Sequence, residues 1–163
     1  MVVVLENKPA SAIVGSPAAP VFNRLARRYA LLANYYAVAH PSLPNYLALI
    51  SGTTGGLRRD CLDCSLTAPT IAQTLDAAGA TWKTYVEGVS RAGFADIDSY
   101  AVEARIPFLY SRYVRRRSAD MRRIVPLAEL ATDLGGDHLP RFSLVVPNLC
   151  HDMHDCSVQT SDR

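Results

Sequence analysis

Two short apolar runs, Val2-Val-Val-Leu5 and Phe142–Val146, each break directly into polar residues. The first is β-branched and followed by Glu6-Asn7; the second is followed by Pro147-Asn148. Continuous apolar runs of this length read as strands of a parallel sheet buried on both faces. In open α/β sheets the carboxyl ends of such strands are where ligands bind. The polar residues after each run are therefore the first candidates for chemistry.

Between these runs, apolar and helical patterns alternate. Pro17-Ala-Ala-Pro20 leads into a helix over 20–30 with Phe22, Leu25, Ala26 and Tyr29 on one face. Leu31 to Val38 is apolar and aromatic and predicts the next strand. Asn45 to Ser51 reads as a helix ended by Gly52, and Ala68 to Ala80 as another, capped by Thr67 or Ser65, with Pro69 in its first turn. Trp82 to Val86 predicts a strand, and Pro126 to Leu134 a short helix ended by Gly135-Gly136. Residues 88–123 fit no period and read as an insertion or cap. The alternation predicts an α/β fold on a mostly parallel sheet. A chain of 163 residues suffices for one domain.

The composition is that of an ordinary globule, 49% hydrophobic and 20% charged, and a net charge of +2 gives no argument for nucleic acid or membrane surfaces. Basic residues do gather at Arg112, Arg115, Arg116, Arg117, Arg122 and Arg123, as a solvated face or a rim that attracts an anion. Met1 to Leu5 is too short for a transmembrane segment or a signal peptide. A buried-looking strand starting at residue 2 suggests a leader upstream. The four cysteines, Cys61, Cys64, Cys150 and Cys156, read first as two disulfides, with three pairings open. Free thiols and zinc are the alternatives, though C-x5-C is wide for a zinc knuckle.

Three places carry chemistry. Ser42 lies in the turn His40-Pro-Ser-Leu-Pro44, ahead of a helix, where unpaired backbone N–H groups favour an anion. A metal at the hydroxyl would make it a nucleophile, and Asn45 could hold a phosphoryl oxygen. A plain helix cap is the alternative for Ser42. Glu6 is a hard-metal ligand type, and an amide oxygen such as that of Asn7 can serve beside it; ordinary loop residues are the alternative. Asn148, His151, Asp152, His154 and Asp155 crowd eight residues. Asn148 and Asp152, four apart, share a face if the segment turns helically, and His154 is a ligand or a proton donor to a leaving group. A histidine-rich surface loop is the alternative.

Together, Glu6-Asn7 after the first strand, Pro41-Ser-Leu-Pro-Asn-Tyr46, Asp60-Cys-Leu-Asp-Cys-Ser65 and Pro147-Asn-Leu-Cys-His-Asp-Met-His-Asp-Cys-Ser157 resemble the bacterial phosphoesterase family of acid phosphatases and phospholipase C-type enzymes, within the alkaline phosphatase superfamily. The resemblance implies a three-layer α/β fold and a divalent metal ion (Mg, Ca, Mn, Zn or Fe). It implies Glu6, Asn7, Ser42, Asn148 and Asp152 as the metal region, Ser42 as nucleophile, and Asn45 and His154 as catalytic partners. The substrate it implies is a small phosphoester or a phospholipid headgroup, and the location secreted or periplasmic. Family members continue to a late acidic pair that completes the metal site, so the chain is expected to be a fragment incomplete at its C-terminus. An inactive remnant and a phosphate or headgroup binder are the competing functions.

Overall fold

The computed structural model describes residues 1–93 and 105–162. Four strands form one sheet in the order β1-β4-β2-β3, where β1 is Val2–Val3, β2 Trp82–Val86, β3 Ile124–Pro126 and β4 Phe142–Val146. Every pairing is parallel. The α/β fold with a parallel sheet is as the alternating pattern predicted. Side chains alternate across the sheet. Trp82, Val86, Ile124, Leu144 and Val146 face the main core, shared with Leu43, Leu47, Ile50, Phe108 and Tyr110. Tyr85, Val125 and Val145 face a smaller cluster on the other side, closed by Leu127 and Leu130.

Four helices precede β2: α1 Ala10–Ile13, α2 Pro20–Arg28, α3 Ser42–Ser51 and α4 Ile71–Ala77. Helix α3 packs Leu43, Pro44, Tyr46, Leu47 and Ile50 inward and stops at Gly52, whose left-handed φ of 73° admits glycine without penalty. Helix α4 begins later than its sequence suggests. Thr70, not Thr67 or Ser65, is its N-cap residue, with the Thr70 N–H donating to Gln73 Oε1 at 2.8 Å, and Pro69 lies ahead of the helix. Among the described residues no helix is long and apolar enough to cross a membrane.

Four expectations fail, for physical reasons. Leu31 to Val38 is not a strand. Leu32, Tyr35 and Tyr36 are each more than 70% exposed, and strand propensity yields a strand only where a neighbour accepts the side chains and the ladder. Instead, the amide oxygen of Asn45 takes the N–H groups of Val38 and Ala39, at 2.8 and 3.1 Å. β1 is parallel but lies at the sheet edge, with Val3 half exposed, so its run is not buried on both faces. Helix α2 turns Leu25 and Tyr29 to solvent and buries Asn23, which ties the carbonyls of Ile13, Ser16 and Ala19 and the N–H of Gly15. The stretch read as one helix from Pro126 contains the end of β3 and a helix only over Glu129–Gly135. A three-residue strand is too short to show a period.

Of the stretch read as an insertion or cap, residues 94–104 lie outside the described residues. The part that follows belongs to the core. Ile106, Phe108, Tyr110 and Val114 are buried, and the Phe108 ring sits 4.7 Å from that of Trp82.

Candidate active site

The carboxyl ends of β1, β2 and β4 deliver Glu6, Glu87 and the loop from Pro147 to one end of the sheet. Beyond the strand pairing, the backbone N–H of Glu6 donates to the carbonyl of Asp152 at 2.7 Å. This bond joins the end of β1 to the loop after β4. The Cys150–Cys156 disulfide closes that loop, and a second disulfide joins Cys61 to Cys64. The even cysteine count therefore resolves into two local bridges.

Ser42 is the first residue of α3, and its Oγ donates to Glu6 Oε2 at 2.6 Å. The Tyr46 hydroxyl, one turn along α3, reaches Glu6 Oε1 at 3.4 Å. Burial, reinforced by the Glu6 charge, raises the pKa of Tyr46 and keeps it a donor. The N–H of Leu43 donates to Asp60 Oδ1 at 2.9 Å, so a protein carboxylate takes this donor at the helix start. That gives Asp60, within one of the quoted motifs, a positional role.

Arg105 completes the group. Its Nε donates to Glu6 Oε1 and lies 2.9 Å from Asp152 Oδ2. All three side chains are sequestered: Arg105 is 5% exposed, Glu6 15% and Asp152 0%. Burial pushes the Asp152 carboxyl above the usual range, against the pull of the His154 backbone N–H and the Arg105 charge. That N–H donates to Asp152 Oδ1 at 2.7 Å. Asp152 Oδ2 accepts no hydrogen bond, because the Arg105 N–H is turned to Glu6.

The structure thus joins Ser42 to Glu6, and Glu6 to Asp152 through Arg105. It engages the other sequence candidates elsewhere. Asn45 spends both ends of its amide on the 38–42 loop, donating to the carbonyls of Ala39 and Pro41 at 2.8 and 3.1 Å. Asn7 is exposed, with a left-handed φ of 67°. Asn148 Oδ1 accepts from the N–H groups of Cys150 and His151, and its own N–H is held by Glu87. His154 Nδ1 pairs with Asp155 at 2.6 Å, and His151 Nδ1 with Glu87 at 2.7 Å. Sequence reasoning missed Arg105, Tyr46 and Glu87. Arg105 belongs to the stretch without a period; Glu87, directly after β2, carried the same strand-end signal as Glu6.

The donor chemistry fits a hard divalent cation. Ser42 and Glu6 meet through their oxygens, and Asp152 Oδ2 is a buried carboxylate oxygen that accepts no hydrogen bond and has the Arg105 cation beside it, the kind of atom that a cation satisfies.

A serine, a glutamate and an aspartate at the carboxyl end of a parallel α/β sheet lie where such sheets bind ligands. Comparison with known proteins is more specific. The phosphoesterase family model matches residues 14–163, and the chain belongs to that family. It is 33% identical over 163 residues to a phosphatidylinositol-3-phosphatase of Mycobacterium tuberculosis, covering 99% of this chain and 53% of that protein. It is 31% identical to an acid phosphatase of Aspergillus fumigatus over 82% of this chain and 32% of that protein. It is 30% identical to a phosphate-repressible acid phosphatase of Penicillium chrysogenum over 83% of this chain and 35% of that protein. The chain thus spans from about a third to about half of the length of these relatives.

Proposed function

We propose that this chain acts as a metal-assisted phosphoester hydrolase on phosphomonoesters, through a serine nucleophile. The observation that carries the reading is the 2.6 Å hydrogen bond from Ser42 Oγ to Glu6 Oε2 at the carboxyl end of β1. A short bond from hydroxyl to carboxylate orients the oxygen lone pairs and offers the proton a destination. Ser42 Oγ attacks phosphorus as Glu6 takes its proton. The bond from phosphorus to the ester oxygen breaks, and the leaving oxygen takes a proton from the His154 imidazole, which Asp155 holds in orientation. Water then attacks phosphorus and gives its proton to the His154 imidazole; the bond from phosphorus to Ser42 Oγ breaks, Ser42 takes its proton back from Glu6, and inorganic phosphate leaves.

Glu6, Ser42 and Asp152 would hold the divalent cation, with Asn7 and Asn148 joining only if their loops turn inward. When bound, that ion supplies positive charge to the phosphoryl oxygens and lowers the pKa of the serine hydroxyl. The hard oxygen set favours Mg, Mn or Ca. The names of the relatives direct the choice of substrate towards phosphomonoesters, soluble or carried on a lipid headgroup. Two disulfides are compatible with a secreted or periplasmic setting.

The test is phosphate release from an aryl phosphomonoester by the purified chain, scanned across Mg, Mn, Ca and Zn. Metal-dependent turnover abolished by Ser42→Ala supports the reading. Binding of phosphate without turnover, from a folded chain, would replace hydrolase with binder.

A further inference from the structure

We propose that Arg105 is a built-in counter-cation of the Glu6–Asp152 pair, and that a divalent ion enters only as the guanidinium withdraws. The inference rests on the reading of Glu6 and Asp152 as cation ligands and adds a gate to that site.

The geometry makes the two cations mutually exclusive. Arg105 Nε hydrogen-bonds Glu6 Oε1 and stands 2.9 Å from Asp152 Oδ2, so it lies between the two carboxylates. A divalent ion bound to both oxygens sits at roughly 2.0–2.6 Å from each. That position falls within van der Waals contact of Nε, where a second positive charge is also repelled. Two buried carboxylates that face each other without a cation are costly. Arg105, itself 5% exposed, meets that cost while no ion is bound. Glu6 keeps 15% of its side chain exposed, which leaves an approach for the ion. Asp152 Oδ2 gains least from the guanidinium, since the N–H points to Glu6. Exchange would replace the guanidinium beside this oxygen with a directly bound cation.

The competing account makes Arg105 a purely structural ion pair, or a residue that helps to build the cation site. The three accounts differ in cation affinity. If the withdrawn state is about a tenth of the population or less, removing the guanidinium tightens binding about tenfold or more. The experiment is Mn titration of the full chain by electron paramagnetic resonance, comparing the unchanged protein with Arg105→Met, which keeps the apolar stem. Arg105→Met should bind Mn about tenfold tighter or more, and Glu6→Gln in that background should remove the gain. Equal or weaker affinity in Arg105→Met overturns the exchange and leaves the hydrolase reading standing. No saturable binding in either protein overturns both.

Should Arg105→Met fail to fold, the unchanged chain gives the answer. Its Arg105 Nε–H signal, identified by loss in Arg105→Lys, should be protected from solvent exchange without metal and lose protection at saturating Mg. Protection that persists at saturating Mg overturns the proposal.

Discussion

Replacing Glu6 by Gln tests whether the site is held by charge or by shape. Glu6 accepts from Ser42 Oγ at 2.6 Å and from Arg105, with Tyr46 further off at 3.4 Å. Glutamine preserves the volume and one acceptor oxygen. Arg105 has no acceptor, so the amide oxygen must face it and the NH2 must face Ser42, whose hydroxyl then turns from donor to acceptor. Hydrogen bonds to charged groups contribute about 1.5–3 kcal/mol and neutral ones about 0.5–1.5. Losing the charge in two close bonds therefore predicts a destabilisation of about 2 kcal/mol, eased by relief of the repulsion with Asp152. Glu6→Ala also leaves the buried guanidinium short of a partner, which raises the cost towards about 3–5 kcal/mol. Urea unfolding reads this directly. With a slope of about 2 kcal/mol/M, Glu6→Gln lowers the midpoint by about 1 M and Glu6→Ala by more. The same Gln variant should lose about 100-fold or more in phosphate release, because Ser42 has lost its proton acceptor. A Gln variant as stable and as active as the unchanged chain would refute both the charge coupling and the role of Glu6 as base.

Three further outcomes follow from the rest of the fold. Asp76 accepts from the Trp82 indole at 3.2 Å and the Tyr113 hydroxyl at 3.0 Å, so Asp76→Ala orphans a buried indole N–H and should cost about 2–3 kcal/mol by denaturant titration. Asp162 caps α2 across the chain, accepting from Val21 and Phe22 at 2.6 and 2.9 Å; Asp162→Ala should cost about 1–2 kcal/mol and speed hydrogen exchange in α2 first. The Asp133 carboxyl is held below its ordinary pKa by hydrogen bonds from Lys83 and Tyr85. Asp76 is also lowered, burial opposing its charge but Arg123 and Tyr113 outweighing it. Stability from both is full above the ordinary carboxylate range and is lost as pH falls through their folded values. Asp120, raised by burial and by the Asp76 charge, runs the other way and loses stability as pH rises through its window. Unfolding across a pH series should show the acid loss, and Asp133→Asn should flatten it.

The sheet was legible because β2 and β4 are runs of five residues, weakly alternating in β2 and mostly apolar in β4. β3 was not, because three residues carry no period and Pro126 reads as a helix start. Leu31 to Val38 misled for the opposite reason: it has strand composition but no partner in the sheet. At the site, Glu6 and Ser42 could be named because each directly follows a strong local signal, a strand end and a proline turn. Asp152 stood out through the density of the loop around it. Arg105 could not be found this way. Its position beside Glu6 depends on a contact between residues 99 apart in sequence, and nothing local marks it. The roles proposed for Asn45 and Asn148 illustrate a related difficulty, since side-chain amides serve backbone turns as readily as ligands.

The most direct test of the central claim is to quench a reaction with an aryl phosphomonoester in acid and map phosphate on the digested chain by mass spectrometry. The account predicts phosphate on Ser42 in the unchanged chain and none with Ser42→Ala. Turnover with phosphate on another residue, or turnover that survives Ser42→Ala, would contradict it.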